Sequence, residues 1–207
     1  MRDWIVDRLE GRRAIPVEPP VPEEIEKEAG DHALNAGMEP LLPLKPAAVL
    51  VPLIARPGEL TVLFTQRTSH LAHHPGQVSF PGGHIEPQDG GPRETALRET
   101  EEEVGLHRRH VEIIGRLDTY ITRTGFLVIP VVGIVEPPFT LKPDPHEVAE
   151  IFEVPLGFLL DRDNHQRCSV EFEGATRYFW AMPYGGHFIW GATAGMVRNF
   201  CDILDAR

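Results

Sequence analysis

From residue 46 onward, short apolar runs alternate with turn-forming residues along the chain. The runs AAVLVPLIA (47–55) and LTVLFTQR (60–67) are separated by Arg-Pro-Gly-Glu, a pattern that predicts a β-hairpin. A loop rich in glycine and proline is expected over 71–92, with a helix over 93–104 and a closing helix over 191–204. Further strands are expected over 111–121, 127–135, 149–154, 168–173 and 177–183. Mixed strands with two or three helices predict a layered α/β domain.

The first 45 residues differ in pattern from the rest. Trp4, Ile5 and Leu9 lie on one side of a short expected helix. The segment IPVEPPVPEE then carries four prolines in ten residues, which excludes a continuous helix, and a second short helix is expected over 23–38. We therefore predict an N-terminal arm at 1–45 and one domain at 46–207. The arm packs on the domain or on a partner subunit; the alternative is a partly loose tail.

Charge and cysteine content narrow the classes of function. The 207 residues include 20 Lys or Arg and 31 Asp or Glu, a net charge of −11, which makes nucleic acid and anionic membranes poor partners. Only Cys168 and Cys201 are present, and we interpret them as reduced thiols of a cytoplasmic protein. The sequence has no apolar run of the length of a signal peptide or membrane span. We expect a monomer or homodimer that acts on a small molecule.

The predicted helix at 93–104 carries an unusual cluster of acidic residues. At 100° per residue, Ala96, Leu97, Thr100 and Val104 form one apolar face, while Glu99, Glu102 and Glu103 form the neighbouring face. Like charges at these spacings repel each other by a few tenths of a kcal/mol per pair. A bound cation reverses that penalty, and carboxylate oxygens suit Mg²⁺ or Mn²⁺ rather than Zn²⁺. The alternative is a solvated acidic face.

Two neighbouring features favour the metal-binding interpretation. Arg98 stands beside the glutamates and is able to hold a carboxylate through a bidentate ion pair. The glycine loop Phe80-Pro81-Gly82-Gly83 precedes the helix, and its backbone amides are able to approach a phosphate closely. A loop of this kind followed by an acidic helix predicts a site for a metal ion and a polyphosphate.

The spacing of these residues resembles a known family motif. Gly83, Asp89, the run Arg98-Glu99-Thr100, the pair Glu102-Glu103 and Gly105-Leu106 resemble the Nudix box, G-x5-E-x7-R-E-U-x-E-E-x-G-U, where U is apolar. The chain departs from it in three ways: Asp89 replaces the first glutamate, one extra residue precedes Arg98, and Thr100 takes an apolar position. The resemblance implies the Nudix fold, a mixed β-sheet sandwiched between α-helices, here with an N-terminal helical and proline-rich arm.

A second resemblance lies just upstream of the box. The segment LFTQRTSHLAHHPGQVSFPGG (63–83) is similar to LLTxR[SA]x3Rx3Gx3FPGG, the signature of the coenzyme A pyrophosphatase branch. Leu63, Thr65, Arg67, Gly76 and 80–83 match, Phe64 and Thr68 depart mildly, and Ala72 replaces an arginine. The resemblance extends over roughly 47–203. It implies a metal-dependent pyrophosphohydrolase that cleaves coenzyme A or acyl-CoA to 3′,5′-ADP and 4′-phosphopantetheine or its acyl form.

The two resemblances together imply a set of site residues. Glu99, Glu102 and Glu103 are the expected ligands of Mg²⁺ or Mn²⁺, and Arg98 orients one of the box carboxylates. Gly82 and Gly83 shape the phosphate loop, and Arg67 contacts a phosphate. Glu147 is the expected base that activates water or a further metal ligand, and a helix glutamate is the other candidate for the base. For Arg67 the alternative is a surface arginine at a strand end, and for Glu147 it is a surface acid.

Other candidates and other functions stay open. We interpret His70, His73, His74 and His84 as solvated loop residues because their spacing is irregular and no thiolate accompanies them. Phe126, Trp180, Tyr184 and Trp190 are candidates to stack on a base, with the core as the alternative. Ala72 keeps open another nucleoside diphosphate substrate, such as ADP-ribose or NADH. A non-catalytic nucleotide-binding module is the remaining alternative.

Overall fold

The structure is a computed structural model, and it describes residues 1–20, 28–71, 74–172 and 174–206. Four helices are present in these ranges: α1 (Arg2–Leu9), α2 (Pro92–Val104), α3 (Leu156–Leu160) and α4 (Gly191–Asp205). The strands are β1 (Glu28–Gly30), β2 (Lys45–Arg56), β3 (Glu59–Arg67), β4 (Val78–Ser79), β5 (Gly82–His84), β6 (Val111–Arg116), β7 (Thr119–Ile121), β8 (Phe126–Val135), β9 (Val148–Pro155), β10 (Gln166–Phe172), β11 (Ala175–Tyr184) and β12 (His187–Trp190). None of the described helices is both long and apolar enough to cross a membrane.

A large mixed sheet forms the centre of the domain. Strand β2 runs parallel to β8 and antiparallel to β3, and β3 continues the sheet to β4 and β9. The long run 47–55 is apolar on both sides because helices cover both faces of the sheet. A second, three-stranded sheet contains β10, β11 and β12 in that order.

Helices pack on both faces of the central sheet. Ala96 of α2 packs on Ala48, Leu50 and Ile129 on one face. On the other face α1, α3 and α4 contribute to the largest core cluster, where Ile5, Leu9, Leu156, Phe200 and Leu204 are buried. The α/β architecture of a mixed sheet between helices is confirmed.

Two sequence-based predictions about elements are wrong. The strand expected over 111–121 is divided into β6 and β7, because Leu117 N–H bonds to Pro130 O and Asp118 N–H bonds to the Asn199 side chain between them. The second helix expected over 23–38 is absent from its described part, 28–38, which forms β1 and a 3₁₀ turn (Asp31–Leu34). Hydrogen bonds from Tyr120 Oη and Arg123 N–H to the Asp31 carboxylate hold that turn. Residues 23–27 lie outside the described residues.

The described parts of the N-terminal arm pack on the domain. Ile5 and Leu9 of α1 are fully buried, whereas Trp4 is 39% exposed. Arg12 forms an ion pair of 2.7 Å with Asp118. Farther along, the arm reaches the start of α2, where a Cβ on Gly91 would lie 2.2 Å from the Val17 carbonyl oxygen. The boundary between arm and domain at 45/46 stays a prediction; β2 begins at Lys45.

Candidate active site

The glycine loop lies directly against the acidic helix. Gly82 and Gly83 belong to β5, which pairs antiparallel with Val49 and Ala48 of β2. A Cβ on Gly82 would lie 2.4 Å from the Ala48 carbonyl oxygen, and a Cβ on Gly83 would lie 2.4 Å from Glu99 Oε1. Only glycine therefore allows the loop to approach both the sheet and the Glu99 carboxylate.

Arg98 binds three carboxylates at once. Its Nε and Nη2 donate to the two oxygens of Asp89, each at 2.9 Å, in the bidentate geometry that makes such pairs strong. Its Nη1 donates to Glu99 Oε1 and Glu102 Oε2, also at 2.9 Å. Arg98 thus orients the box carboxylates from the side of the helix.

Asp89 is a site residue that the sequence analysis did not assign. Besides Arg98 it accepts hydrogen bonds from Thr95 Oγ1 at 2.8 Å and from the Glu86 backbone N–H at 3.0 Å. These donors, with Arg98 first among them, hold the pKa of Asp89 well below its ordinary value. Its position in the sequence could have identified it, because Asp89 occupies the place of the first glutamate in the Nudix box.

Glu103 is the most deeply buried acid of the site. Its side chain is 5% exposed, and Oε2 has no hydrogen-bond partner among the described residues. Burial, reinforced by the negative charges of Glu99 and Glu147, raises the pKa of Glu103 to about 8. The positive charge of Arg67 and a hydrogen bond from the Gly82 backbone oppose that rise in pKa. A buried oxygen without a donor, beside other carboxylates, is what a cation would neutralise.

Glu99 and Glu102 differ in their surroundings. Glu99 is partly buried, and burial raises its pKa, with Arg98 acting in the opposite direction and Glu102 and Glu147 adding to the rise. The Glu102 side chain is 58% exposed and is held by Arg98 alone among the pairs described. The carboxylates of the helix therefore range from buried to solvated across one turn.

Residues far along the chain complete the site. Glu147 precedes β9, and its carbonyl oxygen accepts a hydrogen bond from Thr68 N–H at 2.9 Å. Asp144 N–H bonds to Glu103 O at 2.9 Å, which ties the same loop to the end of α2. Arg67 is the last residue of β3, where the register with β9 shifts. The tertiary fold thus brings Arg67 and Glu147 close enough to shift the pKa of Glu103, which Arg67 lowers and Glu147 raises.

The donor set fits a hard divalent cation. Across the described ranges, no three His, Cys, Asp or Glu side chains already converge on one metal-binding point. The unpartnered Glu103 Oε2, the Glu99 carboxylate against Gly83 and the wholly oxygen chemistry nevertheless suit Mg²⁺ or Mn²⁺. Glu99 and Glu102 share Nη1 of Arg98, so their carboxylates are held side by side.

The remaining candidates are the loop histidines, the aromatic residues and Cys201. His70, His74 and His84 are exposed, and Ala72 and His73 lie outside the described residues. Trp180 and Tyr184 are partly buried in the core, while Trp190 is 38% exposed. Burial raises the pKa of the Cys201 thiol to about 11, so this cysteine is packed as a core residue rather than activated as a nucleophile.

Comparisons with known proteins identify a family model, two relatives and a solved structure to which this chain is similar. The family model described as NUDIX domain matches residues 44–173. The uncharacterized Nudix hydrolase NudL of Yersinia enterocolitica is 41% identical over 156 residues, which cover 75% of this chain and 80% of that protein. A protein of the same name from an Enterobacter species is 42% identical over 155 residues, 74% of this chain and 79% of its own length. The structure of the Ap4A hydrolase of C. elegans is similar with a TM-score of 0.47 and 22% identity, over 54% of this chain and 80% of that one.

Proposed function

The chain belongs to the Nudix hydrolase family, and from that premise we propose that it hydrolyses the diphosphate of coenzyme A or an acyl-CoA. As a Nudix hydrolase it is an enzyme that acts on the pyrophosphate bond of nucleoside diphosphate derivatives. The proposed products are 3′,5′-ADP and 4′-phosphopantetheine or its acyl form. The proposal includes a cytoplasmic monomer or homodimer, with neither nucleic acid nor a membrane as partner.

The observation that carries the proposal is that the two motifs share one site. Arg67 and Gly82 belong to the segment that resembles the coenzyme A pyrophosphatase signature. Both oppose the rise in the pKa of Glu103, a residue of the Nudix box. Phe80, from the same segment, stacks on Phe64 of β3 with ring centroids 4.9 Å apart. This stack joins the strand that ends at Arg67 to the loop that carries Gly82 and Gly83. The upstream segment therefore helps to hold the residues of the candidate site in place.

Nudix hydrolases generally use divalent metal ions such as Mg²⁺ or Mn²⁺, and we assign Glu99, Glu102 and Glu103 to hold them here. When bound, such an ion neutralises charge on the diphosphate and lowers the pKa of a coordinated water. Arg98 keeps the carboxylates of Glu99 and Glu102 oriented toward the same side of the helix.

The protein groups then have separate roles in the hydrolysis. The backbone of Gly82 and Gly83 approaches the phosphates closely, and Arg67 binds one of them, so that the substrate is positioned. Glu147, or a helix glutamate, accepts the proton of the attacking water. A new P–O bond forms to the water oxygen as the bridging P–O bond breaks, and the electron pair of that bond stays on the departing phosphate oxygen.

One sequence feature favours a second candidate substrate. Ala72 stands where the coenzyme A pyrophosphatase signature has an arginine, and an arginine there would be a natural partner for an anionic part of the substrate. Without it, ADP-ribose or NADH is the alternative substrate of the same catalytic groups. A non-catalytic nucleotide-binding module is the weaker alternative, because a binder has no need of crowded carboxylates around Glu103.

A product assay tests the proposal. Purified protein is incubated with coenzyme A, acetyl-CoA, ADP-ribose and NADH in the presence of Mg²⁺ or Mn²⁺, and the products are separated by chromatography. We expect metal-dependent release of 3′,5′-ADP from coenzyme A, lost in Glu103→Gln. Glu101→Gln is the matched control, because Glu101 lies on the same helix but binds Arg108. Faster cleavage of ADP-ribose or NADH would reject the coenzyme A assignment, and no turnover of any substrate would favour the binding module.

A further inference from the structure

A cavity of about 290 Å³ lies beside α4, apart from the glycine loop and α2. We call it the α4 cavity. Four parts of the chain form its walls: β1 with the turn that follows it, Tyr120 of β7, the middle of β11, and one face of α4.

The α4 wall is a single helical face with two glycines. Its residues, at 191, 195, 198, 199 and 202, recur at the spacing of one face of a helix. Gly195 allows the helix backbone to meet Tyr120, since a Cβ there would lie 2.2 Å from Tyr120 Oη. A Cβ on Gly191 would have only Gln77 Nε2 near it, at 3.8 Å. The position of Gly191 therefore leaves space open along the helix, whereas Tyr120 fills the space beside Gly195.

The opposite wall is held in place by specific hydrogen bonds. Asn35 donates to the carbonyl oxygens of Asp31 and Tyr178 and accepts from Tyr178 N–H, at 2.8 to 2.9 Å. Tyr120 Oη donates to the Asp31 carboxylate at 2.8 Å. Because Asn35 is only 7% exposed, these bonds tie the arm firmly to β11. Tyr120 is the one lining residue that falls within the stretch 44–173 that matches the family model.

The lining combines aromatic rings with one cationic group, Arg198, that has more N–H donors than its contacts use. The Arg198 guanidinium lies 4.6 Å from the Trp180 ring centroid, and its Nη1 lies 3.3 Å from His165 Nδ1. An arginine carries five N–H donors, more than a single histidine nitrogen is able to accept. The two acids of the lining are already engaged, Asp31 with Tyr120 and Asp202 with Arg162 at 2.7 Å. The Tyr178 ring also has a guanidinium against it, that of Arg167, 4.1 Å from the ring centroid. The cavity therefore presents the remaining aromatic surface, the planes of the arginines and hydrogen-bond donors rather than free negative charge.

Size and chemistry together narrow the class of ligand. Ligand pockets span roughly 300–1,000 Å³, so a cavity at the lower end holds one ring system rather than a whole coenzyme. Tyrosine and tryptophan rings and arginine planes are the surfaces on which heterocyclic bases stack, and arginine N–H groups donate to ring nitrogens. Ala29 and Ala33 are small residues on the arm side of the cavity, whereas His32 and the Ile121 carbonyl fill the space beside Gly30.

We propose that the α4 cavity binds a neutral heteroaromatic ring of purine size, the adenine moiety of an adenine nucleotide. The ring stacks against the Tyr178, Trp180 and Arg198 surfaces, and Arg198 donates to a ring nitrogen. This assignment does not depend on which diphosphate the enzyme hydrolyses. The ring belongs either to the substrate itself or to a separate adenine nucleotide that binds beside it.

Adenosine is the probe that tests the site, because it carries the base but no diphosphate to hydrolyse. Its binding to the full chain is measured by calorimetry without metal. We expect one adenosine per chain, with affinity reduced at least tenfold in Arg198→Met and in Ala33→Trp. The Ala33 change fills the cavity from an exposed position of the arm and so tests the site without removing a core contact. Phe188→Leu is the control, since Phe188 is 44% exposed and does not line the cavity.

The outcomes separate cleanly. No binding of adenosine at millimolar concentration, or equal binding to wild type and Ala33→Trp, would overturn the site. Where binding is lost in the variants, kinetics identify the source of the ring. A raised KM for the hydrolysed nucleotide with unchanged kcat in Ala33→Trp means that the substrate supplies it. A response of wild-type rate to adenosine at saturating substrate, absent in Ala33→Trp, means a separate nucleotide. If the protein does not hydrolyse coenzyme A, the proposed function is rejected. The adenosine-binding measurement still decides whether the α4 cavity is a binding site.

Discussion

Gly83 and Glu99 are packed so closely that the loop residue has no room for a side chain. A Cβ on Gly83 would lie 2.4 Å from Glu99 Oε1 and 2.5 Å from Glu99 Cδ. Glu99 is also fixed from the other side, where Arg98 Nη1 donates to Oε1 at 2.9 Å. The carboxylate is therefore held between a strand and an arginine, and its position depends on both.

The first prediction concerns this contact. Gly83→Ala is expected to displace the Glu99 carboxylate and to lower kcat about 100-fold, the effect of a misplacement of about 1 Å in an active site. The protein should remain folded by circular dichroism, because the carboxylate is able to move. Gly157→Ala is the control, since a Cβ there would have no atom within 4 Å. Equal kcat in Gly83→Ala and wild type would show that Glu99 does not need this position.

The second prediction concerns the ion pair between Asp89 and Arg98. The Asp89 side chain is 4% exposed and that of Arg98 is 21% exposed, so water screens the pair only weakly. Asp89→Asn is expected to lower the free energy of unfolding at pH 7 by about 2 kcal/mol, the loss of hydrogen bonds to a charged group. Urea denaturation measures it. Glu86→Gln, at an exposed position of the same loop, should change the value little.

The pH dependence of that pair has a defined sign. Because the pKa of Asp89 is lower in the folded chain than its ordinary 3.8, the pair stabilises the fold above that value. The stabilisation begins to fall below about pH 4, where the unfolded chain takes up its proton, and is lost completely once the folded carboxylate is protonated as well. The difference between wild type and Asp89→Asn should therefore shrink in acid. A constant difference between pH 7 and pH 3 would contradict the assignment.

The third prediction follows from the raised pKa of Glu103. Its pKa of about 8 exceeds the ordinary 4.5, so the folded chain favours the protonated form. The metal-free protein should lose stability as the pH rises from about 5 to 8, because the unfolded chain gives up its proton first. Glu103→Gln should remove much of this loss and raise Tm at pH 8. Thermal melts in EDTA across this pH range measure it, and an equal slope in wild type and variant would argue against it.

Metal binding gives the complementary result. A divalent cation requires the charged form of Glu103, so its binding releases a proton and strengthens with pH. Mg²⁺ should therefore raise Tm more at pH 8 than at pH 6, and Glu103→Gln should respond little. Calorimetric titration in two buffers of different ionisation enthalpy counts the proton. Equal Mg²⁺ stabilisation of wild type and variant would show that the ion binds elsewhere.

The fourth prediction concerns the arm at the start of α2. Gly91 has φ of 106° and its missing Cβ makes room for the Val17 carbonyl. Gly91→Ala is expected to destabilise the protein by about 2 kcal/mol, from backbone strain together with displacement of the arm. Limited proteolysis should then cut the arm near Val17 faster than in wild type. Gly90→Ala is the control, since a Cβ there meets only the flexible Glu94 side chain, at 3.1 Å. Unchanged cleavage in Gly91→Ala would mean that the contact does not hold the arm.

Short-range patterns in the sequence determined much of the fold and one half of the candidate site. The hairpin of β2 and β3 and the helix α2 follow from local hydrophobic periodicity and turn residues, which act over a few neighbours. The carboxylates of Glu99 and Glu103 share a face because four residues make one turn of a helix. Sequence spacing alone therefore identified the acidic face and the loop before it. Asp89 could also have been predicted from its place in the motif.

The tertiary structure decided what depends on distant parts of the chain. Only folding brings Arg67 and Glu147 to Glu103, because they come from a strand end and a loop separated by 80 residues of sequence. The division of 111–121 into two strands depends on hydrogen bonds to Pro130 and Asn199, which no local pattern contains. The α4 cavity likewise exists only where the arm, β7, β11 and α4 meet. The period of the apolar residues indicates which face of a helix or strand is buried. Which other element packs against that face depends on the packing of the whole chain.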